Sequence, residues 1–284
     1  MKISIIIPFY KGNEYLERLF TSINNVSTST NETFEVIIVN DNPGEKVLIP
    51  QNKLNVLLIE NENNLGIQGT RINGIKNSTG DWILMLDQDD ELVEEGFKKQ
   101  IELTKNANVV VGNGTYILGD VNKTIYKNLK SMNYLIKRER FIEIRNLIPS
   151  PGECLIRKEC IPSIWMDNRL INNGADDWML WLLLFGNGAR FSCNELPVYI
   201  HNDTSGKNLS ANLAKMRESS LEMAKIVYSE GGLTTPEFNT LICAINFKYL
   251  QDNKQLSISK IWRLRTSLIS NIKYRLKLGL IYRW

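Results

Sequence analysis

Short apolar runs alternate with segments of helical periodicity in the N-terminal part of the chain. The apolar runs predict strands at residues 3–7, 34–39, 54–59, 82–86 and 108–111. Continuous apolar runs are typical of strands that are buried on both faces. The segments between them predict helices at residues 14–24, 66–76 and 94–104, with Asn13 as the expected cap of the first. Strand–helix–strand order at this spacing predicts a mostly parallel α/β sheet flanked by helices.

The pattern weakens after residue 115. Residues 115–150 mix Lys, Arg, Asn and Tyr, which favours a loop or a cover over the sheet. The remaining patterns predict strands at 152–157 and 191–200, a loop that begins at His201, and helices at 176–185, 209–228 and 236–250.

Composition sets limits on the class of protein. With 284 residues and 43% hydrophobic content, the chain can bury one large core or two modest ones. The net charge of +3 is too small to indicate a nucleic-acid binder. Residues 253–284, however, carry eight Lys or Arg and no Asp or Glu, so basic charge is concentrated in this tail.

The four cysteines, Cys154, Cys160, Cys193 and Cys243, include no Cys-x-x-Cys pair. They are therefore expected to be free thiols, mostly buried, in a reducing cytoplasm. The N-terminal apolar run is short and ends in Pro8, which is unlike a secretory signal. No stretch reaches the roughly 18 apolar residues that a membrane-spanning helix needs.

Polar clusters follow three of the predicted strands, and ligands of parallel sheets bind beyond the carboxyl ends of the strands. The clusters are Pro8–Tyr10, Asn40–Asn42 and Asp87–Asp90. In the last one, three carboxylates within four residues repel each other unless a cation is present, which favours a divalent metal site. The alternative is a solvated acidic loop or helix cap.

Other candidates have equally ordinary alternatives. Asp41 is either a turn residue or an acceptor for a nucleotide base or ribose. Arg71, on a helix whose N-terminus favours phosphate, is either a phosphate contact or an exposed arginine. Asp177 is either a general base or a residue that complements the helix dipole. His201 is either a surface residue or a ligand of metal or diphosphate.

Five segments in order resemble family-2 glycosyltransferases of the GT-A fold. They are Ser4–Tyr10, Glu35–Asp41, Asn64–Gly74, Trp82–Asp90 and Asp176–Trp181. The resemblance covers residues 1–210. It implies a GT-A, Rossmann-like nucleotide-diphospho-sugar transferase domain over 1–210, with a nucleotide-sugar-binding half (1–118) and an acceptor-side half (119–210). Residues 211–284 would then form a C-terminal helical region.

The resemblance also implies roles for individual residues. Pro8, Tyr10, Asp41, Arg71, Asp87 and Gln88 would bind the nucleotide sugar, usually a UDP-sugar. Asp87, Asp89 and His201 would hold Mn²⁺ or Mg²⁺, with Asp89 the more direct ligand. Asp177 would be the catalytic base of an inverting reaction.

The sequence departs from the family pattern at several positions. Asn40 replaces the first acid of the usual pair, Asn42-Pro43 replaces the common Gly-Ser, Ile72 follows the arginine where Asn is frequent, and Asp176 replaces the usual Glu. These departures concern the identity of the nucleotide more than the reaction class.

The function implied is transfer of a hexose or N-acetylhexosamine to a glycan or lipid-linked oligosaccharide acceptor, as in bacterial surface polysaccharide synthesis. A nucleotidyltransferase is an alternative, but residues 8–12 lack its Gly-rich basic loop. A non-catalytic sugar-nucleotide-binding protein is the other alternative. We expect a cytoplasmic protein without a nucleic-acid partner, whose basic tail either contacts an anionic membrane surface at the inner face or packs as a terminal helix.

Overall fold

The computed structural model describes residues 1–118, 121–202 and 212–255, with single positions at 257, 264, 269 and 272. The chain forms two compact units. The first comprises Met1–Ile125, Ser150–Ile161 and Arg190–Thr204, and the second comprises Tyr126–Pro149, Pro162–Ala189 and Ser205–Trp284. The predicted amphipathic tail lies almost entirely outside the described residues.

The first unit is built on one sheet. Its strands are β1 (Lys2–Phe9), β2 (Thr33–Asn40), β3 (Asn55–Glu60), β4 (Trp82–Met85), β5 (Glu91–Leu92), β6 (Val109–Leu118), β7 (Val121–Thr124), β8 (Cys154–Arg157) and β9 (Phe191–Asn202). They follow the order β3-β2-β1-β4-β8-β6-β9-β5, with β7 paired to β6. The pairs among β3, β2, β1 and β4 are parallel, as is β6 with β9, whereas β8, β5 and β7 pair antiparallel with their neighbours.

Three helices accompany the sheet: α1 (Asn13–Thr28), α2 (Gly66–Lys76) and α3 (Glu94–Leu103). Helix α2 packs on β1 and β2 so closely that a Cβ on Gly74 would lie 2.3 Å from Ile6. Because side chains alternate along a strand, Ile5 and Ile7 point away from α2, yet both are fully buried. Strand β1 is therefore covered on both faces, as its unbroken apolar run predicts.

Pro8 lies in a central strand, where proline is usually excluded. The hydrogen-bonded ladder between β1 and β4 ends at Ile6, two residues earlier. The N–H that proline lacks is therefore not required for pairing with β4. The chain can thus leave the sheet at this point without losing a ladder bond to β4.

Several predicted features differ in the structure, beginning with β3 and Asn13. Strand β3 is an edge strand and half-exposed, not buried, because only β2 pairs with it. Asn13 does not cap α1. Its side chain instead donates to Glu45 and to the Lys46 carbonyl and accepts from Leu48 N–H, which ties down the loop after β2.

The segment 115–150 is not a loop. It contains the end of β6, strand β7, and helices α4 (Leu129–Leu135) and α5 (Arg138–Glu143). These helices are short, and α4 begins with a capping box between Asn128 and Ser131, so propensity patterns over long windows do not reveal them.

The second unit is helical in its described residues. Besides α4 and α5 it contains α6 (Ser163–Asp167), α7 (Asp176–Gly186), α8 (Leu213–Ser229) and α9 (Thr235–Asp252). Helix α7 is buried on nearly every side from Trp178 to Leu184, and α8 packs against both α7 and α9. The apolar middle of α7 therefore forms the core of this unit.

The cysteines are free, but only Cys154 is buried, and the other three are half-buried. Burial raises the pKa of the Cys193 thiol to about 12, which disfavours the thiolate form. Within the described part of the chain, no helix has the length and apolar content needed to cross a membrane.

A buried carboxylate joins β1, β2 and the turn before β4. Glu35 accepts hydrogen bonds from Ser4 Oγ at 2.5 Å and from Thr79 N–H and Oγ1 at 2.6 and 2.7 Å, and it pairs with Lys2 at 2.8 Å. Burial alone would raise its pKa, but these donors outweigh burial and hold the pKa at about 2. Glu35 therefore stabilises the fold as a carboxylate.

Glu35→Gln should lower the free energy of unfolding at neutral pH. Because the folded-state pKa lies below the value of 4.5 for a free carboxyl, the contribution is complete above pH 4.5 and is lost as pH falls towards 2. The difference between variant and wild type in urea unfolding should therefore be large at pH 7 and shrink near pH 3. Glu62→Gln, at an exposed position outside the helices and strands, is the control, and an equal, pH-independent loss in both variants would contradict this role.

Candidate active site

The three predicted strand-end clusters lie together at the carboxyl edge of neighbouring strands. Strand β1 lies between β2 and β4, and all three run parallel. Beyond the ladders, Asp41 N–H donates to the Phe9 carbonyl at 2.8 Å and Leu86 N–H to the Ile6 carbonyl at 2.9 Å. These bonds hold the segments that begin at Asp41 and Asp87 beside the end of β1.

Asp87 is held by an arginine from helix α2. The Arg71 guanidinium is almost fully buried and donates to Asp87 Oδ1 at 2.7 Å. Arg71 is thus directed at the acidic segment, where it neutralises one of the clustered charges and fixes that carboxylate.

Gln88 fixes the loop after β1. Its side-chain amide accepts from Tyr10 N–H at 2.9 Å and donates to the Tyr10 carbonyl at 3.0 Å. Gly12 leaves the space for this amide, since a Cβ there would lie 2.3 Å from the Gln88 side chain. The Tyr10 ring is left about half-exposed, as a flat apolar surface at the strand ends.

Asp41 caps helix α2. Its carboxylate accepts from Asn61 at 2.9 Å, from Leu65 N–H at 2.6 Å and from Gly66 N–H at 2.9 Å. A buried carboxylate at a helix N-terminus is stabilised by the helix dipole and the free amides. The structure thus gives Asp41 a structural role, and its predicted nucleotide contact stays a prediction.

The surroundings of Asp89 disfavour the ionised form of its carboxyl group. Burial and the nearby Asp87 carboxylate raise its pKa, against the attraction of His201 and Arg18. Arg18 contacts the segment through the Asp89 carbonyl at 2.7 Å, and not through the carboxylate. A cation beside Asp89 would relieve this unfavourable charge.

The sequence pattern predicts that His201 begins a loop, but this prediction is wrong. His201 lies near the end of β9, where its ring packs 4.4 Å from the Tyr116 ring, between centroids. Its Nδ1 lies 2.8 Å from Oδ1 of the fully buried Asp90. Burial lowers the pKa of His201, but the hydrogen bond with Asp90 and the acidic neighbours outweigh this and raise it.

The residues of this site suit a cation with few protein ligands, whose other coordination positions are left for phosphate and water. Within residues 1–118, 121–202 and 212–255, no three Asp, Glu, His or Cys side chains converge on one point. A hard cation that carries a diphosphate needs only one or two protein ligands, because phosphate oxygens and water complete its shell. Asp89, with its opposed charge, and His201 Nε2, buried without a partner among the described residues, fit that requirement.

Asp177 belongs to the second unit, in the first turn of α7. Its Oδ2 accepts from Asn146 at 2.8 Å and its Oδ1 from Trp178 N–H at 2.7 Å. The neighbouring Asp176 is buried, and its carbonyl accepts from the Trp165 indole at 2.7 Å. Of these two acids, Asp177 has a partly exposed carboxylate, whereas Asp176 is buried in the core.

Comparison with known proteins identifies the family. The family model described as glycosyl transferase family 2 matches residues 4–165, more than half of the chain. This chain belongs to glycosyl transferase family 2. The match includes β1, β2, α2 and the segment Asp87–Asp90, and it ends before Asp177 and His201.

Other glycosyltransferases are similar to this chain in sequence, at moderate identity. A dolichol-phosphate mannosyltransferase of Pyrococcus furiosus is 30% identical over 172 residues, which cover 58% of this chain and 48% of that protein. An uncharacterized glycosyltransferase of Bacillus subtilis, YwdF, is 27% identical over 259 residues, covering 85% of this chain and 90% of that protein. The chain thus spans about half the length of the archaeal relative.

Solved structures confirm the predicted GT-A type fold. The structure of Staphylococcus aureus TarS 1-349 in complex with UDP-GlcNAc matches 88% of this chain and 73% of its own, with a TM-score of 0.65 and 20% identity. The mannosyltransferase PcManGT from Pyrobaculum calidifontis, in complex with GDP-Man and Mn²⁺, matches 96% of this chain and 74% of its own, with a TM-score of 0.56 and 12% identity.

Sequence reasoning missed two contributors to the site. The sequence pattern indicates for Asp90 only a place in the acidic run or at a helix cap, and it gives no signal for Tyr116. Both contact His201, but from positions 111 and 85 residues away in the sequence (201 − 90 and 201 − 116). No local pattern contains these pairs, and only the pairing of β9 with β5 and β6 brings them together.

Proposed function

We propose that this chain is an inverting glycosyltransferase. It moves a hexose or N-acetylhexosamine from a UDP-sugar to a hydroxyl of a glycan or lipid-linked acceptor, as in bacterial surface polysaccharide synthesis. The observation that carries the proposal is the acidic segment Asp87–Asp90 beyond the end of β4 in a family-2 chain, together with His201 Nε2, which is buried and without a partner among the described residues. The TarS complex with UDP-GlcNAc supports a UDP-sugar as donor.

The donor would lie across the carboxyl ends of β1, β2 and β4. Tyr10 offers a half-exposed ring for the base, beside Pro8 at the end of β1, and Gln88 holds the loop that carries that ring. Asp41 fixes the start of α2, and its Oδ2, which accepts from Gly66 N–H, has a second lone pair that can accept a hydrogen bond from the base or ribose. Arg71 holds Asp87 in place through their ion pair.

Asp89 and His201, with Asp87 beside them, would hold Mn²⁺ or Mg²⁺. When bound, the cation supplies positive charge to the diphosphate as it leaves. Asp89 and His201 would be ready before the donor arrives, because Arg18 fixes the backbone at Asp89 and Asp90 fixes the imidazole. A site arranged in advance stabilises charge in the transition state without further reorganisation.

Asp177 would act as the general base. Its carboxylate accepts the proton of the acceptor hydroxyl while that oxygen forms a bond to the anomeric carbon. The bond from this carbon to the diphosphate breaks at the same time, and its electron pair leaves with the nucleotide. A single displacement of this kind turns a UDP-α-sugar into a β-linked product. Asn146 holds Asp177 through Oδ2 and so orients the base.

The test is release of UDP from a panel of UDP-sugars, with Mn²⁺, Mg²⁺ or a chelator. Release from one donor that depends on the cation would establish the donor and the cation together. Where no donor is hydrolysed without acceptor, calorimetric titration with UDP and Mn²⁺ decides the matter. Absence of binding would refute the proposal, and binding without transfer to any acceptor would favour a non-catalytic sugar-nucleotide-binding protein.

We further propose that the basic tail contacts an anionic membrane surface, where a lipid-linked acceptor would be presented. The support is its charge, since residues 253–284 carry eight basic and no acidic residues amid Ile, Leu, Trp and Tyr. The full chain should co-sediment with vesicles rich in anionic lipid, and a chain lacking residues 253–284 should not. Equal binding by both would rule out the tail as the contact.

A further inference from the structure

The sheet register sets Asp90 opposite His201. Strands β5 and β9 pair antiparallel, with Glu91 opposite Ile200 and Leu92 opposite Tyr199. One step further in the same register, Asp90 faces His201. The two side chains point to the same side of the sheet because directly opposed residues of an antiparallel pair share a face. Backbone pairing thus brings the acid and the imidazole together.

The contact between them is specific in its atoms. Asp90 Oδ1 lies 2.8 Å from Nδ1 of His201, whose ring is held on the other side by Tyr116. Once ionised, the Asp90 carboxylate can only accept a hydrogen bond, so in that state Nδ1 is the nitrogen that carries the proton. In a neutral imidazole the proton on Nδ1 leaves Nε2 with its lone pair, and Nε2 has no partner among the described residues.

Asp90 is a costly residue for a purely structural position. It is fully buried, its Oδ2 has no partner among the described residues, and Asp87 and Asp89 add unfavourable charge. A buried carboxylate with one satisfied oxygen stabilises a fold less than an apolar or amide side chain would. Its presence is explained when the carboxylate makes the imidazole a stronger and better-directed ligand, as carboxylates do behind metal-binding histidines.

We propose that Asp90 is a positioning residue: it binds no cation itself but fixes the tautomer and direction of His201, so that Nε2 faces the cation and diphosphate of the donor. This proposal rests on the proposed function for its ligand. Asp90, third in the acidic run, thereby has a different task from Asp87 and Asp89. The acidic run thus has two roles. Asp87 and Asp89 face the donor, and Asp90 faces β9, the strand that carries His201.

The first experiment reads the imidazole directly. His201 is the only histidine of the chain, so a protein labelled with ¹⁵N-histidine gives a single set of ring signals. At an alkaline pH where the ring is neutral, the wild type should show a protonated Nδ1 and a bare Nε2. Asp90→Asn should give a mixture of tautomers, because an amide can donate to Nδ1 as well as accept from it. Glu91→Gln, one residue away on β5, is the matched control and should keep the wild-type spectrum.

The second experiment shows whether Asp90 acts through His201. We expect Asp90→Asn to weaken UDP binding in the presence of Mn²⁺ by about 10- to 100-fold, the usual effect of losing a residue behind a metal ligand. In a His201→Gln background the same substitution should change the affinity little. Equal losses in both backgrounds would mean that Asp90 contacts the cation itself, and would overturn the proposal.

The outcomes separate this inference from the proposed function. A wild-type ring protonated on Nε2, or an Asp90→Asn spectrum identical to the wild type, refutes the positioning role, whatever the protein binds. Failure of the wild type to bind UDP with Mn²⁺, together with a bare Nε2 that depends on Asp90, refutes the proposed function and leaves the fixed tautomer established. Because the wild-type spectrum alone can refute the role, the test does not depend on the variant folding.

Discussion

Asp177→Asn is expected to lower the rate of sugar transfer by about 10²- to 10⁴-fold, the range typical of losing a general base. The amide has nearly the same size as the carboxylate, and its single oxygen can still accept from Trp178 N–H, so the start of α7 should be preserved although the bond from Asn146 to Oδ2 is lost. It cannot take a proton from the acceptor. The affinity for UDP with Mn²⁺ should therefore stay at the wild-type value while turnover falls.

The measurement is transfer from the donor found in the UDP-release panel, combined with calorimetric binding of UDP. Asp167→Asn, an exposed acid on α6 of the same unit, is the control and should retain full activity. Unchanged turnover in Asp177→Asn would remove this residue from the role of base. A parallel fall in UDP affinity would instead indicate a part in donor binding.

Asp89→Asn is expected to abolish cation-dependent UDP release, with a fall of at least about 10²-fold, since a preorganised charge at the leaving group contributes that much or more. The wild-type carboxylate is raised in pKa by burial and by Asp87, which shows that its charge is maintained at a cost. The amide removes both the cost and the attraction for a cation. The variant should therefore be at least as stable as the wild type towards urea, while its affinity for Mn²⁺ with UDP falls.

This opposite response of stability and activity distinguishes a ligand from a structural residue. Asp81→Asn, an exposed acid just before β4, is the control at the other end of the same strand and should change neither property. If Asp89→Asn keeps cation-dependent release, the cation is bound elsewhere. If it loses stability as well as activity, Asp89 has a structural role that its contacts do not reveal.

Much of the first unit was predictable because its strands have unambiguous patterns. Residues such as Ile5 and Val36 lie in runs buried on both faces, and parallel strands with helices between them place Asp41 and Asp87 at one edge. The helix predicted at 66–76 has those bounds in the structure. Each of these inferences depends on neighbours in the sequence or on a general rule for parallel sheets.

What the sequence did not reveal depends on distant partners. Leu57 and Leu58 are apolar and half-exposed, because β3 lies at the edge of the sheet, and no local pattern shows which strand is an edge. The polar residues that follow His201 predict a loop there, whereas the structure places His201 in β9. Arg71 was expected to contact nucleotide, and its ion pair with Asp87 becomes visible only when α2 lies beside the end of β4.

The pairing of β5 with β9 also has a consequence for how the protein acquires its ligand set. Asp90 and His201 are 111 residues apart, so their contact closes a long loop and raises the contact order of this part of the sheet. During synthesis on the ribosome, β1, β2 and β4 can pair before β9 has been made, whereas the imidazole arrives only with that strand. On the proposed function, a nascent chain would therefore carry its acidic run well before it could hold a donor, and competence for binding would be one of the last properties gained as this unit folds.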